Sequence, residues 1–195
     1  MPLIQAHAKE KRNKNDEYIT PPSMVGQLLE REKFDFANDT FLEPCCDARH
    51  ITIPRVLWKH GAKNVEVNIY EETGKSFLDW DEDKKVDIVI SNTPYGNKNT
   101  IAFINKAKKI AKKKVVLLYP LTTLNGKERF EKVWSDTDFP LTRIYQFIRF
   151  ANLKNTLDDT GNYEAGMVLY AWFVFDVGGN GKIELIQIDN SEYLI

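Results

Sequence analysis

The stretch DIVISNTPYGN, residues 87–97, places an asparagine, a proline and a tyrosine directly after an apolar run typical of a buried strand. These residue types suit chemistry on the exocyclic amine of a planar base. Such an amine is a poor nucleophile, because its lone pair is delocalised into the ring. An enzyme that alkylates it needs hydrogen-bond acceptors for the amine protons and a flat surface that holds the base.

The four residues from Asn92 to Tyr95 can supply these groups. The Asn92 side chain offers one acceptor, and the Thr93 carbonyl offers a second, held outward because a residue before proline prefers an extended conformation. Pro94 stiffens the turn, and Tyr95 offers a stacking face. The same composition is also ordinary for a loop after a strand, so the motif alone leaves both interpretations open.

The surrounding pattern predicts how this loop is positioned. Apolar runs at 40–45, 64–70, 86–92 and 113–120 alternate with helical patterns at 23–34, 53–60 and 101–114, which indicates an α/β domain with a mostly parallel sheet. Three later runs, at 141–150, 167–177 and 183–188, predict antiparallel strands that close the sheet. Ligands of such sheets bind at the carboxyl ends of the strands, where the motif lies.

Length and composition predict one domain over residues 1–195, with a basic arm at 1–15. The net charge of −1 neither favours nor excludes a nucleic-acid partner. Adjacent Cys45 and Cys46, without spaced Cys or His partners, predict no metal site and a reducing compartment. The longest uncharged apolar run is much shorter than the roughly 18 residues of a membrane span. We therefore expect a soluble cytoplasmic protein.

Seven segments in order carry a resemblance to a known family: DEYITPP, FLEPCC, GKSFLDW, DIVISNTPYG, PLTTLNGKERF, IYQFIRF and AWFVFDVG. Together, from Asp16 to about Ile188, they resemble phage and prophage adenine-specific DNA methyltransferases, which use S-adenosylmethionine. The resemblance implies a Rossmann-like methyltransferase fold, DNA as the partner and adenine as the acceptor. In that family the catalytic motif is Asn/Asp/Ser-Pro-Pro-aromatic. Here Thr93 replaces the first proline, which keeps the carbonyl and loses only the fixed φ.

The resemblance also implies cofactor-binding residues. The segment DEYITPP is similar to the family's N-terminal motif, which lies beside the methionine end of the cofactor, and this implicates Tyr18, Thr20 and Pro21. The family's acidic residue for the ribose hydroxyls corresponds best to Glu71. Ser76 and Phe77 match its Gly-Asp-Phe-Leu stretch, so Ser76 stands where a carboxylate would meet the cofactor adenine.

The loop after the first strand departs from the family's Glu-Pro-x-x-Gly-x-Gly. Glu43 and Pro44 match, Cys45 follows them, and Asp47 and Arg49 occupy both glycine positions. Side chains there crowd the cofactor, so we expect S-adenosylmethionine to bind weakly. A partial likeness to a neighbouring restriction-modification methyltransferase group leaves open that this loop is a working variant.

Other features leave alternatives open. Six lysines, at positions 106, 108, 109, 112, 113 and 114, are expected to crowd the end of the helix after the motif, where they contact phosphates or form a solvated face. The basic segment Lys9–Lys14 and the polar loop at 152–166 admit similar pairs of interpretations. The chain as a whole could also be an inactive methyltransferase-fold protein that binds nucleic acid or a partner, or a methyltransferase acting on RNA or a protein amide.

Overall fold

A computed structural model of the chain describes residues 20–46, 48, 51–149 and 168–190, apart from the Asn97 side chain. Within these residues seven strands form one sheet in the order β2-β1-β3-β4-β6-β5-β7. The strands are β1 Thr40–Cys46, β2 Asn64–Ile69, β3 Val86–Ser91, β4 Ala111–Pro120, β5 Leu141–Phe147, β6 Tyr170–Asp176 and β7 Glu184–Ile188. Strand β6 pairs antiparallel with both β4 and β5, and the other pairings are parallel. The predicted fold class, a mostly parallel sheet with antiparallel pairing near the C-terminus, is confirmed.

Helices flank the sheet. They are α1 Pro22–Leu29, α2 Thr52–Lys59, α3 Tyr70–Thr73, α4 Asn97–Ile110 and α5 Lys127–Arg129, with 3₁₀ turns at Phe77–Asp79 and Leu121–Leu124 and a π-helical turn at Phe130–Trp134. Helix α4 ends at Ile110, four residues earlier than predicted, because Ala111 is already extended and begins β4. Three of the six lysines, at positions 112–114, therefore lie on a strand rather than on the helix. None of the helices in the described ranges is long and apolar enough to cross a lipid bilayer.

Two hydrophobic cores lie on the two faces of the sheet, because successive strand residues point to opposite sides. Phe41 and Ile90 pack with α1 and α2 on one face, while Leu42 and Val89 pack with α4 on the other. Strands buried on both faces are the reason why the central runs are continuously apolar.

Helix α1 is fixed to the sheet by more than apolar contact. Pro22 begins it, a position where the missing amide costs nothing. The indole Nε1 of Trp172, on β6, donates a hydrogen bond to the Met24 carbonyl at 3.0 Å. This bond, together with the burial of Val25 and Leu28, sets where Thr20 lies relative to the strand ends.

Candidate active site

The candidate site is built on the carboxyl ends of three adjacent parallel strands, β1, β3 and β4. Ser91 ends β3, and Tyr119 is next to last in β4. Glu43 lies at the middle of β1, one residue beyond the Leu42–Val89 pair of β1 and β3. Residues 92–96 connect β3 to α4 at this edge. Parallel sheets bind their ligands here because the loops that follow the strands converge.

Asn92 is held by hydrogen bonds at both ends of its side chain. Its Nδ2 donates to Thr20 Oγ1 at 3.0 Å, and its Oδ1 accepts from the Tyr95 hydroxyl at 2.5 Å. Thr20 is buried, so this link brings two predicted motifs together although 72 positions separate them. The geometry orients the Asn92 amide with its oxygen toward Tyr95.

Tyr95 is half-buried, between the two cores. Its ring centroid lies 5.8 Å from that of Tyr170 and 6.1 Å from that of Tyr119. Pro94 beside it is exposed. Gly96 follows with φ of +120°, a conformation that side chains rarely adopt, and this lets the chain turn into α4. Tyr95 is therefore supported from behind by aromatic rings while part of its own surface remains accessible.

Thr93 points its side chain inward. It is 2% exposed, and its Oγ1 donates to the Tyr119 hydroxyl at 2.6 Å. Burial raises the pKa of Tyr119 far above its ordinary value, so this hydroxyl stays neutral. The residue that stands in place of the family's proline is thus tied to the end of β4.

Glu43 is a buried carboxyl group at the same edge. Its Oε1 accepts hydrogen bonds from Ser91 Oγ at 2.5 Å and from the Cys45 amide at 3.0 Å. Burial raises the pKa of Glu43 to about 7, although both hydrogen bonds act in the opposite direction. Near neutral pH this group can therefore gain or lose its charge, and a neighbouring cation would favour the carboxylate.

Cys45 is not equipped for nucleophilic chemistry. Burial, and then the neighbouring Glu43, raise the pKa of the Cys45 thiol well above its ordinary value. The thiolate is the reactive form of cysteine, and it is disfavoured here.

Asn68 joins the ends of β1 and β2. This buried side chain donates from Nδ2 to the carbonyls of Pro44 and Lys75, each at 3.1 Å, and accepts at Oδ1 from Thr73 Oγ1 at 3.0 Å. The predicted cofactor residue Pro44 is thereby held against the turn that follows α3.

The remaining described candidates have different surroundings. Pro21 precedes α1, and Glu71 is exposed on α3. Ser76 Oγ accepts from the Leu78 amide at 3.2 Å and so caps the 3₁₀ turn. Phe77 is 2% exposed, with its ring centroid 5.7 Å from that of Phe103, so its ring belongs to the core. Their roles toward a cofactor stay predictions.

Several predictions concern residues outside the described ranges. Tyr18, Asp47 and Arg49 are among them, as are the basic segment Lys9–Lys14 and the polar loop at 152–166.

Five of the six lysines around the end of α4 form ion pairs, which favours a structural role over phosphate contact. Lys106 and Lys109 pair with Glu82, Lys108 with Asp136, Lys113 with Asp39, and Lys114 with Glu32 and Asp176. The carboxylates come from segments far apart in sequence, so the sequence pattern alone could not reveal them.

Sequence reasoning missed four residues that organise the site: Asn68, Ser91, Tyr119 and Tyr170. A signal existed for two of them. Ser91 directly precedes the motif, and Tyr119 is a polar hydroxyl at the end of the apolar run VVLLYP. Asn68 and Tyr170 carry no such signal, because only the folded sheet brings them to this edge.

No protein-family model matches the chain, and no curated protein matches it in sequence. Solved structures do resemble it. A protein from Listeria monocytogenes assigned to the class I S-adenosylmethionine-dependent methyltransferases superimposes with a TM-score of 0.57 at 14% identity, over 93% of this chain and 68% of that one. Magnesium protoporphyrin IX methyltransferase from Synechocystis, solved with bound S-adenosylmethionine, gives a TM-score of 0.52 at 13% identity, over 80% and 76%.

A modification subunit from Vibrio vulnificus YJ016, assigned to a type I restriction enzyme, gives a TM-score of 0.54 at 13% identity. The match covers 94% of this chain and 50% of that subunit, so the chain spans half the subunit's length. At these identities the likeness concerns the fold. The chain has the Rossmann-like α/β fold of the class I methyltransferases, and the Asn92–Tyr95 loop lies at the carboxyl edge of its sheet.

Proposed function

We propose that the chain is an S-adenosylmethionine-dependent methyltransferase that acts on the exocyclic amine of adenine in DNA. The observation that carries this proposal is the hydrogen-bonded unit of Thr20, Asn92 and Tyr95 at the end of β3. It places an amide oxygen beside an aromatic ring within a methyltransferase fold. Methylation of an amine on a planar base needs both, an acceptor for the amine protons and a flat surface for the base.

The residues at this edge suit the cofactor. S-adenosylmethionine carries a positively charged amino group and a sulfonium, and when bound it supplies an electrophilic methyl group. Glu43 is buried with a pKa of about 7, so a cation beside it would convert it to the carboxylate. Together with Glu43, the residues that would hold the cofactor are Thr20, Pro21, Pro44, Cys45, Glu71, Ser76 and Phe77, and Tyr18 by the resemblance. Asp47 lies in the same cofactor loop, at a position where the family has glycine.

The chain's own groups would act on the base. Adenine leaves the duplex and stacks on Tyr95, as enzymes that modify a base require. Its amine donates to Asn92 Oδ1, beside or in place of the Tyr95 hydroxyl, and to the Thr93 carbonyl. These bonds increase electron density on the amine nitrogen. A general base is not needed, because the amine becomes acidic once it is alkylated and then loses its proton.

A methyl-transfer assay tests the proposal. Purified protein is incubated with cofactor carrying an isotope-labelled methyl group and with adenine-containing duplex DNA. We expect label on adenine with the wild type and none with Asn92→Ala, whose cofactor affinity should stay nearly unchanged. Tyr95→Ala should weaken DNA binding by about 1–3 kcal/mol, the usual contribution of a base stacked on an aromatic side chain. Exposed Tyr70→Ala is the matched control for a lost tyrosine.

Three outcomes would contradict the proposal. Retained activity in Asn92→Ala would remove the mechanism. Label on RNA or on a glutamine-containing peptide, and none on DNA, would change the substrate. Cofactor binding without transfer to any acceptor would favour the inactive binding protein.

A further inference from the structure

A buried hydrogen bond attaches the loop that carries the candidate catalytic groups to the next strand, β4. Thr93 and Tyr119 are 2% and 0% exposed, and their hydroxyls are 2.6 Å apart. Thr93 is flanked by half-buried Asn92 and exposed Pro94. The attachment therefore lies directly beneath the groups that would face a base.

We propose that the Thr93–Tyr119 hydroxyl pair is an anchor that takes over the restraint which a proline at position 93 would provide, and that Tyr119 is a positioning residue for the reaction. This inference rests on the proposed function. Proline fixes φ through its ring, whereas a threonine before Pro94 is only biased toward extended backbone, so a further restraint is needed to fix the residue-93 carbonyl. The side-chain hydrogen bond supplies it from β4.

Tyr119 supports a second group of the loop at the same time. Its ring centroid is 6.1 Å from that of Tyr95, and it also packs against Phe173 at 6.0 Å. One fixed side chain thus holds the acceptor carbonyl through Thr93 and backs the stacking ring of Tyr95. Small displacements of reacting groups are costly in rate, because the productive geometry is narrow.

The anchor predicts the effect of Thr93→Pro. The substitution restores the family's ring but leaves the Tyr119 hydroxyl buried without its partner, which destabilises the fold. Thr93→Pro combined with Tyr119→Phe removes the orphaned hydroxyl. We therefore expect the double variant to outperform Thr93→Pro in both stability and rate.

The experiment separates positioning from folding with a double-mutant cycle. The variants are Thr93→Val, Thr93→Ser, Tyr119→Phe, Thr93→Val/Tyr119→Phe and Thr93→Pro/Tyr119→Phe. Each is measured for urea unfolding, for hydrogen exchange of the backbone amides within 92–97 (Pro94 has none), and for the single-turnover rate of methyl transfer to adenine-containing DNA. Tyr145→Phe is the matched control, because its hydroxyl is also buried but bonds Glu32 at the other edge of the sheet.

We expect Thr93→Val and Tyr119→Phe to lower the single-turnover rate about tenfold or more. Both should speed exchange at 92–97, while Thr93→Ser retains more of the rate than Thr93→Val. In Thr93→Val/Tyr119→Phe the stability should recover and the rate should not, because both orphaned hydroxyls are gone but the anchor is still missing. Tyr145→Phe should lower stability but leave the rate and the exchange at 92–97 unchanged.

Rate recovery in parallel with stability would overturn the anchor and leave a merely structural bond. Unchanged exchange at 92–97 in both single variants would overturn it as well. A wild type that transfers no methyl group while exchange still responds to the variants would retain the anchor and contradict the proposed function. The two failures are thereby distinguishable.

Discussion

The carboxyl group of Glu43 has little contact with water, and this changes the pH at which it loses its proton. Its pKa in the fold is about 7, against 4.5 for an ordinary glutamate. Between these values the native state binds more protons than the unfolded chain. The free energy of unfolding therefore falls as pH rises through this window and is steady above it.

Glu43→Gln keeps an oxygen that accepts from Ser91 and Cys45 but removes the titration. Relative to this variant, we expect the wild type to lose about 3 kcal/mol of unfolding free energy between pH 4.5 and pH 7.5. Urea unfolding at a series of pH values measures this difference. Glu71→Gln is the matched control, because Glu71 is exposed. Parallel profiles for wild type and Glu43→Gln would contradict the assigned pKa.

The candidate site residues at the end of β3 could be predicted because they form a contiguous motif. Asn92, Pro94 and Tyr95 lie within four consecutive residues, and a loop that follows a parallel strand lies at the carboxyl edge of the sheet. The resemblance implicated Thr20 in cofactor binding but gave no contact with Asn92, and the hydrogen bond between their side chains is a finding of the structure. The inward turn of Thr93 was not predictable, since it depends on a tyrosine that β4 brings alongside β3.

Elements were predicted more accurately than their ends. Each predicted strand run contains a strand. The central runs are apolar because β1, β3 and β4 are buried on both faces, whereas the edge strand β7 exposes Leu185. The end of α4 was misplaced because alanine and lysine favour helix, while pairing of β4 with β3 and β6 extends the chain from Ala111 onward. Tertiary pairing overrode local propensity there.

Four charged groups join elements at the amino edge of the sheet. Glu32, after α1, accepts from Arg143 Nε at 2.7 Å and pairs with Lys114. Asp176 pairs with the same two cations, at 3.1 Å from Lys114 and 2.7 Å from Arg143. Burial acts to raise the pKa of Glu32, but hydrogen bonds from the two cations outweigh it and hold this pKa below its ordinary value. The network ties α1 to β4, β5 and β6.

Glu32→Gln should therefore destabilise the fold strongly, because it leaves Lys114 and Arg143 with one carboxylate between them. We expect a loss of about 3 kcal/mol in urea unfolding, within the range for breaking a buried pair. Glu30→Gln is the control, since Glu30 pairs with Arg31 on the surface, where ion pairs contribute about 0–1 kcal/mol. Equal effects of the two substitutions would show that the buried network adds nothing to stability.

At the scale of the whole molecule, the fold is that of the class I methyltransferases. The loop after β1 is where the sequence departs from the resemblance. Asp47 and Arg49 stand where the family has glycines, and Ser76 stands where it has a carboxylate. Ser76 is engaged in capping the Phe77–Asp79 turn rather than in a charged contact. The Asp47 and Arg49 side chains should lower cofactor affinity by crowding, and Ser76 should lower it because it lacks the charge of a carboxylate.

Calorimetric titration with S-adenosylmethionine, with and without adenine-containing DNA, measures the sum of these effects. We expect a dissociation constant in the high micromolar range. The crowding and the missing charge each cost binding free energy, and every loss of about 1.4 kcal/mol weakens affinity tenfold. Asp47→Gly/Arg49→Gly should strengthen binding if the side chains only crowd the cofactor. Low-micromolar binding by the wild type, weakened by the glycines, would instead identify a loop rebuilt around Asp47 and Arg49. Absence of binding under both conditions would leave the fold without its cofactor and assign the Asn92–Tyr95 loop to recognition rather than to transfer.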